Sequence, residues 1–444
     1  MHSFQYREGK LYCEDVDLAQ AAEKFGTPLY IYSAATILDH YNRLNAALAP
    51  LNHLICYAVK ANSNRAILKL LAQAGSGFDI VSGGELFRAI KVGADPKNCT
   101  FAGVGKTGEE IAYALEQGVY SFNVESESEL ERIDKIAGQN KSRAPVALRL
   151  NPDVSPHTHA YIATGSHENK FGIALGDAPR IYERAAKMPN IDIVGLQMHI
   201  GSQITDAKPF ADAISKVATL ARDLKSKYRI KFFSIGGGMG IVYRRALESG
   251  SGKWWREHDG EPAAFSVRDY ANAIVPPLLE LDLRILIEPG RFLVGNAGIL
   301  LARVLYLKTS GAKTFAIVDA GMNDLIRPAL YQSYHEIVPL IKPGGTGSVP
   351  SAKEKDDTEV VPRTRKIDIV GPVCESGDFF ALDREMPEVR EGDLVALMSA
   401  GAYGFVMASN YNSRPLPAEA LVRGDNVSLI RKRQTWEDLI RDEI

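Results

Sequence analysis

Residues 54–85 read LICYAVKANSNRAILKLLAQAGSGFDIVSGGE, and this stretch decides the fold. The apolar run Leu54–Val59 stops at Lys60. The amphipathic segment Asn64–Ala74 follows, with Ile67, Leu68 and Leu71 at helical spacing, and a second apolar run, Phe78–Val81, comes next. Short runs that are apolar on both faces are what buried parallel strands require, and the intervening helix supplies the crossover. Working outward, the same alternation continues through Thr100–Ala102, Ser121–Val124, Val146–Leu150, Val194–His199, Phe232–Ile235 and Arg284–Glu288. Eight units over roughly 250 residues match the size of a closed (β/α)8 barrel, with an open doubly wound sheet as the alternative. The expected class is α/β, with the barrel spanning 36–288.

After about residue 290 the pattern changes. Apolar runs at Ile299–Leu307, Phe315–Val318, Ile367–Val370, Leu394–Met398 and Leu421–Ile430 are separated by turns, including Gly392–Asp393 and Gly424–Asp425, and not by long helices. This reads as a mainly β domain of sandwich or Greek-key type. The N-terminal Phe4–Cys13, with Glu8–Gly9 as its turn, reads as a hairpin joining it, so residues 1–35 and 289–444 form the second domain. Two polar stretches, Glu248–Pro262 and Lys342–Val360, read as surface insertions.

Composition narrows the class. The 444 residues carry 52 Lys plus Arg against 54 Asp plus Glu, a net charge of −2, which argues against a basic nucleic-acid-binding surface. No apolar run reaches the ~18 residues of a membrane span. The opening MHSFQYREGK lacks the apolar core of a secretory signal. Cys13, Cys56, Cys99 and Cys374 show neither disulfide nor zinc spacing. A cytoplasmic enzyme is expected.

Four motifs could carry chemistry. Lys60 ends an apolar strand, where partial burial would disfavour its charged form and suit it to bond an aldehyde. A lone strand-end lysine more often simply reaches solvent. The run SIGGGMG, residues 234–240, can present backbone N–H groups to an anion, although glycine-rich turns are common. IEPGR, residues 287–291, combines a carboxylate, a glycine and a guanidinium, and could equally be a strand-end salt bridge. QMHIGSQ, residues 197–203, offers His199 and Ser202, which alone would read as a structural histidine and a helix cap. His157, His159 and His167 fall in the loop Asn151–Lys170, with no ligand set for a metal, so no metal is expected. All four motifs share the C-terminal ends of expected barrel strands, where barrel active sites are built. Together they offer an amine, a flat ring, an anion nest and a carboxylate, the set that pyridoxal 5′-phosphate needs.

From YAVKAN through GFDIVSGGE, QMHIGSQ, GGGMG and EPGR the chain resembles the fold-type III pyridoxal-phosphate-dependent decarboxylases. DAGMNDLIRPALYQSYHEI, GPVCESGDFF and MSAGAYGFVMASNYNSRPLPAE extend the resemblance to the diaminopimelate decarboxylase branch of that family. The resemblance implies an alanine-racemase-like barrel with a β domain, a homodimer with shared active sites, and conversion of meso-2,6-diaminoheptanedioate to L-lysine and carbon dioxide. It puts the cofactor aldehyde on Lys60 and the cofactor ring against His199. Ser202, Gly237, Gly238, Gly290 and Arg291 would hold the phosphate with help from Tyr403, and Glu288 would pair with the pyridine nitrogen. Asp79 and Arg149 match neighbouring cofactor positions. Arg291, Arg327, Tyr331, Tyr403 and Glu375 would bind substrate, and Cys374 would be the acid, reaching across from the partner subunit.

Elementary chemistry agrees with those roles. A carboxylate at Glu288 keeps the pyridine nitrogen protonated and favours decarboxylation over racemisation. A planar Arg327 fork suits a distal carboxylate, which ornithine or arginine would leave unfilled. Decarboxylases of ornithine, arginine or carboxynorspermidine, a catalytically dead paralogue and a racemase are the competing readings.

Overall fold

The computed structural model describes residues 2–154, 170–261, 265–342 and 364–444. His157, His159 and His167, and most of the Lys342–Val360 stretch, lie outside the described residues. The chain divides into two units, Leu38–Ile241 with Asp259–Leu293, and Met1–Ile37 with Val242–His258 and Val294–Ile444.

The first unit is a closed parallel barrel of eight strands: His53–Ala58, Gly77–Ile80, Cys99–Phe101, Ser121–Val124, Ala144–Asn151, Ile191–Met198, Phe232–Ser234 and Arg284–Ile287. Each pairs with the next, and Ile285↔His53 closes the ring. A closed barrel was one of two architectures compatible with the sequence, and the closing pair decides between them. A short extra strand, Ile173–Ala174, adds to Ala144–Asn151.

Inside the barrel, Leu54, Cys56, Ala147, Phe232 and Leu286 form a buried cluster. Gly195 makes room for the Phe232 ring, because a Cβ there would fall 2.5 Å from a ring carbon. Burying such a ring stabilises by about 1.5–3 kcal/mol. The outer helices carry apolar stripes: Ile67, Leu68, Leu70 and Leu71 of Arg65–Gln73 are all buried. Asn64 caps that helix by accepting from Ala66 N.

The second unit is mainly β. Its sheet runs Phe379–Pro387, Thr364–Val370, Lys313–Val318, Gly298–Ser310, Leu29–Ser33, Ala418–Arg423, Asn426–Arg431, with Leu394–Leu397 also paired to the long strand Gly298–Ser310 and Ile337–Pro339 paired in turn to Leu394–Leu397. Phe4–Arg7, Lys10–Cys13 and Val16–Asp17 form a separate small sheet, with Glu8 and Gly9 at positive φ in the turn. Leu11, Leu29, Ile31, Ile299, Leu301, Ala396, Ala420 and Val422 are among its buried core.

The described part of the stretch read as a surface insertion at Glu248–Pro262, residues 248–261, is more ordered than a loop. It folds into the helix Gly252–Glu257, which buries Trp254 and stacks it on His258 at 4.4 Å. Its residues 248–258 belong to the β unit although they fall inside the sequence span expected for the barrel, and Asp259 returns the chain to the barrel unit.

Candidate active site

At the C-terminal end of the barrel, strand register dictates which side chains meet. Ala58 pairs with Asp79, and the turn that follows the strand brings Lys60, two residues on, to the Asp79 side chain. Lys60 Nζ lies 2.6 Å from Asp79 Oδ2; Asp79 is buried while the lysine side chain keeps access to the pocket. Lys60 sits in the single turn Val59–Ala61, and the strand end is tied to the IEPGR loop by Ala58 N donating to Pro289 O at 3.0 Å.

The same logic builds the Glu288 site. Gln197 pairs with Ser234, and Ser234 with Leu286, two residues before Glu288. Ser234 Oγ donates to Glu288 Oε1 at 2.6 Å, and Gln197 Nε2 donates to Oε2 at 3.0 Å. Burial, followed by the nearby Asp79 charge, pushes the Glu288 carboxyl up to about 7, while Ser234, Lys60 and Gln197 oppose the shift. A carboxylate so placed gains strongly from a cationic partner.

His199 follows the sixth strand and is pinned by its ring. Gly237 N donates to Nδ1 at 3.2 Å, so Nδ1 is the bare nitrogen. Enclosure, then the positive charges of Arg149 and Lys60, pushes His199 well below its usual pKa, which keeps the ring neutral. Arg149, next to Gln197 in register, donates to Glu125 Oε1 at 3.0 Å, and Glu125 also accepts from Gly103 N and Gly172 N.

The glycine run is pressed into its neighbours. A Cβ on Gly237 would lie 2.1 Å from Glu288 O, and Gly238 has φ of +113°. The 199–204 loop zips onto it through Ile204 N to Gly238 O and Gly240 N to Ile204 O, both 2.9 Å. Ser202 Oγ accepts from Arg291 Nη2 at 3.1 Å, and Gly290 opens the turn leading into Arg291. The barrel therefore gathers Lys60, Asp79, Arg149, His199, Ser202, Gly237, Gly238, Glu288, Gly290 and Arg291 at its strand ends and following loops.

The remaining expected residues stand in the β unit. Cys374 is exposed, and its backbone N donates to Asn412 Oδ1 at 2.8 Å. Glu375 accepts from Tyr411 Oη at 2.8 Å. Asp378 shapes this turn by accepting from Val373 N at 2.7 Å and Met322 N at 2.6 Å. Arg327 opens the short helix Arg327–Tyr331 and is buried, with Tyr331 at its far end partly exposed. Tyr403 holds a left-handed backbone, φ of 57°.

Sequence reasoning gave no role to Gln197, Ser234, Glu125 or Tyr411. Gln197 and Ser234 stand inside the quoted motifs, and a correct strand register would have aimed both at Glu288.

Residues 34–295 match the family described as pyridoxal-dependent decarboxylase, pyridoxal binding domain. A diaminopimelate decarboxylase of Aquifex aeolicus is 45% identical over 441 residues, covering 99% of this chain and 97% of its own length. One from Pseudomonas aeruginosa is 46% identical over 444 residues, covering 100% and 99%. The crystal structure of the Helicobacter pylori diaminopimelate decarboxylase complexed with L-lysine superposes with a TM-score of 0.84 at 39% identity, covering 96% of this chain and 98% of that one. The chain belongs to the pyridoxal-dependent decarboxylases. Within that class it is a member of the diaminopimelate decarboxylase family, and its cofactor is pyridoxal 5′-phosphate.

The barrel pocket fits that group. Lys60 supplies a primary amine, Glu288 a buried carboxyl that favours a cationic partner, and His199 a neutral flat ring. Among the described residues, Asp79 Oδ1 and Gln197 Oε1 are buried without a hydrogen-bond partner, which suits a pocket built around a polar guest.

Proposed function

We propose that this protein removes carbon dioxide from meso-2,6-diaminoheptanedioate to give L-lysine. The observation that carries the reading is likeness over essentially the whole of both chains to diaminopimelate decarboxylases, at 45–46% identity.

When bound, pyridoxal phosphate supplies an electron sink for the pair left on the α-carbon as the carboxylate departs. Lys60 would hold its aldehyde carbon, with Asp79 keeping the amine oriented. Glu288, positioned by Ser234 and Gln197, would hold a proton on the pyridine nitrogen. His199 would stack on the ring. Ser202, Gly237, Gly238 and the backbone at Gly290 and Arg291 would carry the phosphate with Tyr403, and Arg149 would border the ring. Cys374 would deliver a proton to the α-carbon, replacing the lost carboxylate. Arg327, Tyr331, Arg291, Tyr403 and Glu375 would bind substrate, the Arg327 fork taking the distal carboxylate and Glu375 the distal ammonium.

We further propose that the protein works in the cytoplasm as a homodimer, with Cys374 and Glu375 serving the partner's barrel. The test is to supply purified, cofactor-loaded protein with meso-diaminopimelate, ornithine and arginine separately and to assay carbon dioxide and amine. Release from meso-diaminopimelate with lysine as product is expected. Release from ornithine or arginine alone would overturn the substrate assignment.

A further inference from the structure

The orientation of one guanidinium in the β unit is set by a histidine to which the sequence assigned no role. Arg327 Nη1 lies 2.9 Å from His335 Nε2, and Nη2 donates to Ser333 Oγ at 3.3 Å. The guanidinium carbon stands 5.0 Å from the centre of the Tyr243 ring, which meets the His335 ring edge to face at 5.5 Å. The other imidazole nitrogen, His335 Nδ1, lies 2.8 Å from the Met398 carbonyl oxygen. A carbonyl only accepts, so Nδ1 bears the proton; a guanidinium only donates, so Nε2 presents its lone pair. The two partners together select the neutral Nδ1–H form. His335 is fully buried, so its ring cannot turn to water to satisfy either nitrogen.

We infer that His335 is the positioning residue for substrate specificity: by accepting from Arg327 Nη1 it aims the guanidinium at the distal carboxylate of the substrate. This rests on the role proposed above for Arg327. The chemistry of the partner matters. A carboxylate in place of His335 would orient the guanidinium but also cancel its charge and compete with the substrate. A neutral acceptor orients it and leaves the charge to the incoming anion. Ser333 fixes the second terminal nitrogen, so the plane as well as the direction of the fork is set.

The experiment separates this role from simple stapling of the fold. His335→Asn keeps an amide near Nδ1 for Met398 and removes the acceptor for Arg327; His335→Gln places a carbonyl oxygen near Nε2. For His335→Asn, KM for meso-diaminopimelate is expected to rise about tenfold, the scale of a lost hydrogen bond to a charged group. Its kcat and cofactor absorbance should stay near wild type, while its melting midpoint falls by a few degrees because a buried ring and its hydrogen bond are lost. His335→Gln should restore most of the lost affinity. On an Arg327→Ala background, His335→Asn should add nothing further. An unchanged KM in a folded His335→Asn protein, or an equal effect with Arg327 absent, would overturn the inference. If Arg327→Ala alone leaves KM unchanged, the role of Arg327 itself fails, a result that does not involve His335. Should the Asn variant not fold, nitrogen NMR of the wild-type imidazole decides: Nδ1–H is expected, and an Nε2–H form would refute the assignment.

Discussion

Ser234 Oγ donates to Glu288 Oε1 across 2.6 Å, and the two residues come from adjacent barrel strands 54 positions apart in the chain. With Gln197 they hold a carboxyl that burial pushes up to about 7. The folded chain without cofactor therefore binds a proton at Glu288 that the unfolded chain, titrating near 4.5, releases earlier. Glu288 then favours the folded cofactor-free chain below the unfolded value, and that contribution is lost as pH rises through the folded one. Glu288→Gln removes the titration. The melting midpoint of the cofactor-free variant should fall less than wild type as pH is raised from about 5 to about 8. A parallel pair of curves would show that Glu288 is not held near neutrality.

Gly237 faces the Glu288 carbonyl so closely that a methyl group cannot be accommodated; its Cβ would sit 2.1 Å from that oxygen. Gly237→Ala should therefore displace the glycine run from the strand end and disturb the N–H that fixes His199. Loss of cofactor absorbance, with a melting midpoint lowered by several degrees, is the expected outcome. Full cofactor occupancy in this variant would contradict the close packing.

Cys374 is the exposed cysteine among four; Cys13, Cys56 and Cys99 are buried, and burial raises each of their thiols above the usual value. In native protein a thiol reagent should modify one cysteine, and Cys374→Ala should abolish that reaction. The same variant should keep its cofactor yet turn over at least an order of magnitude more slowly, because the proposed proton donor is gone. Wild-type turnover would remove Cys374 from the chemistry.

The proposed sharing of sites between subunits makes a separate prediction. Lys60→Ala and Cys374→Ala proteins, each inactive or nearly so, should regain partial activity when mixed and allowed to exchange subunits. No recovery, with exchange verified by mass, would argue for self-contained subunits.

The barrel was legible because its strands are apolar on both faces and its helices carry one apolar stripe; all eight expected runs overlap observed strands. The β unit was legible only in part. Phe379–Pro387 escaped because Asp383, Arg384 and Glu385 interrupt its apolar pattern, and Leu29–Ser33 because its pairing partners lie at Gly298–Leu301 and Ala418–Val422. Trp254 looked like part of a polar insertion, since nothing local to Glu248–Pro262 marks it as buried. Lys60, His199 and Glu288 could be singled out because strand ends are visible in sequence. Gln197, Ser234 and His335 could not, because their roles depend on register and on hydrogen-bond partners supplied by other segments.

We propose that the Lys60 amine, held 2.6 Å from Asp79 at the end of the first barrel strand, carries the cofactor. Borohydride reduction of cofactor-loaded protein, followed by proteolysis and mass analysis, tests it directly. The phosphopyridoxyl mass is expected on the peptide containing Lys60 and absent from Lys60→Ala; a label on another lysine, or none on Lys60, would show that a different residue holds the cofactor.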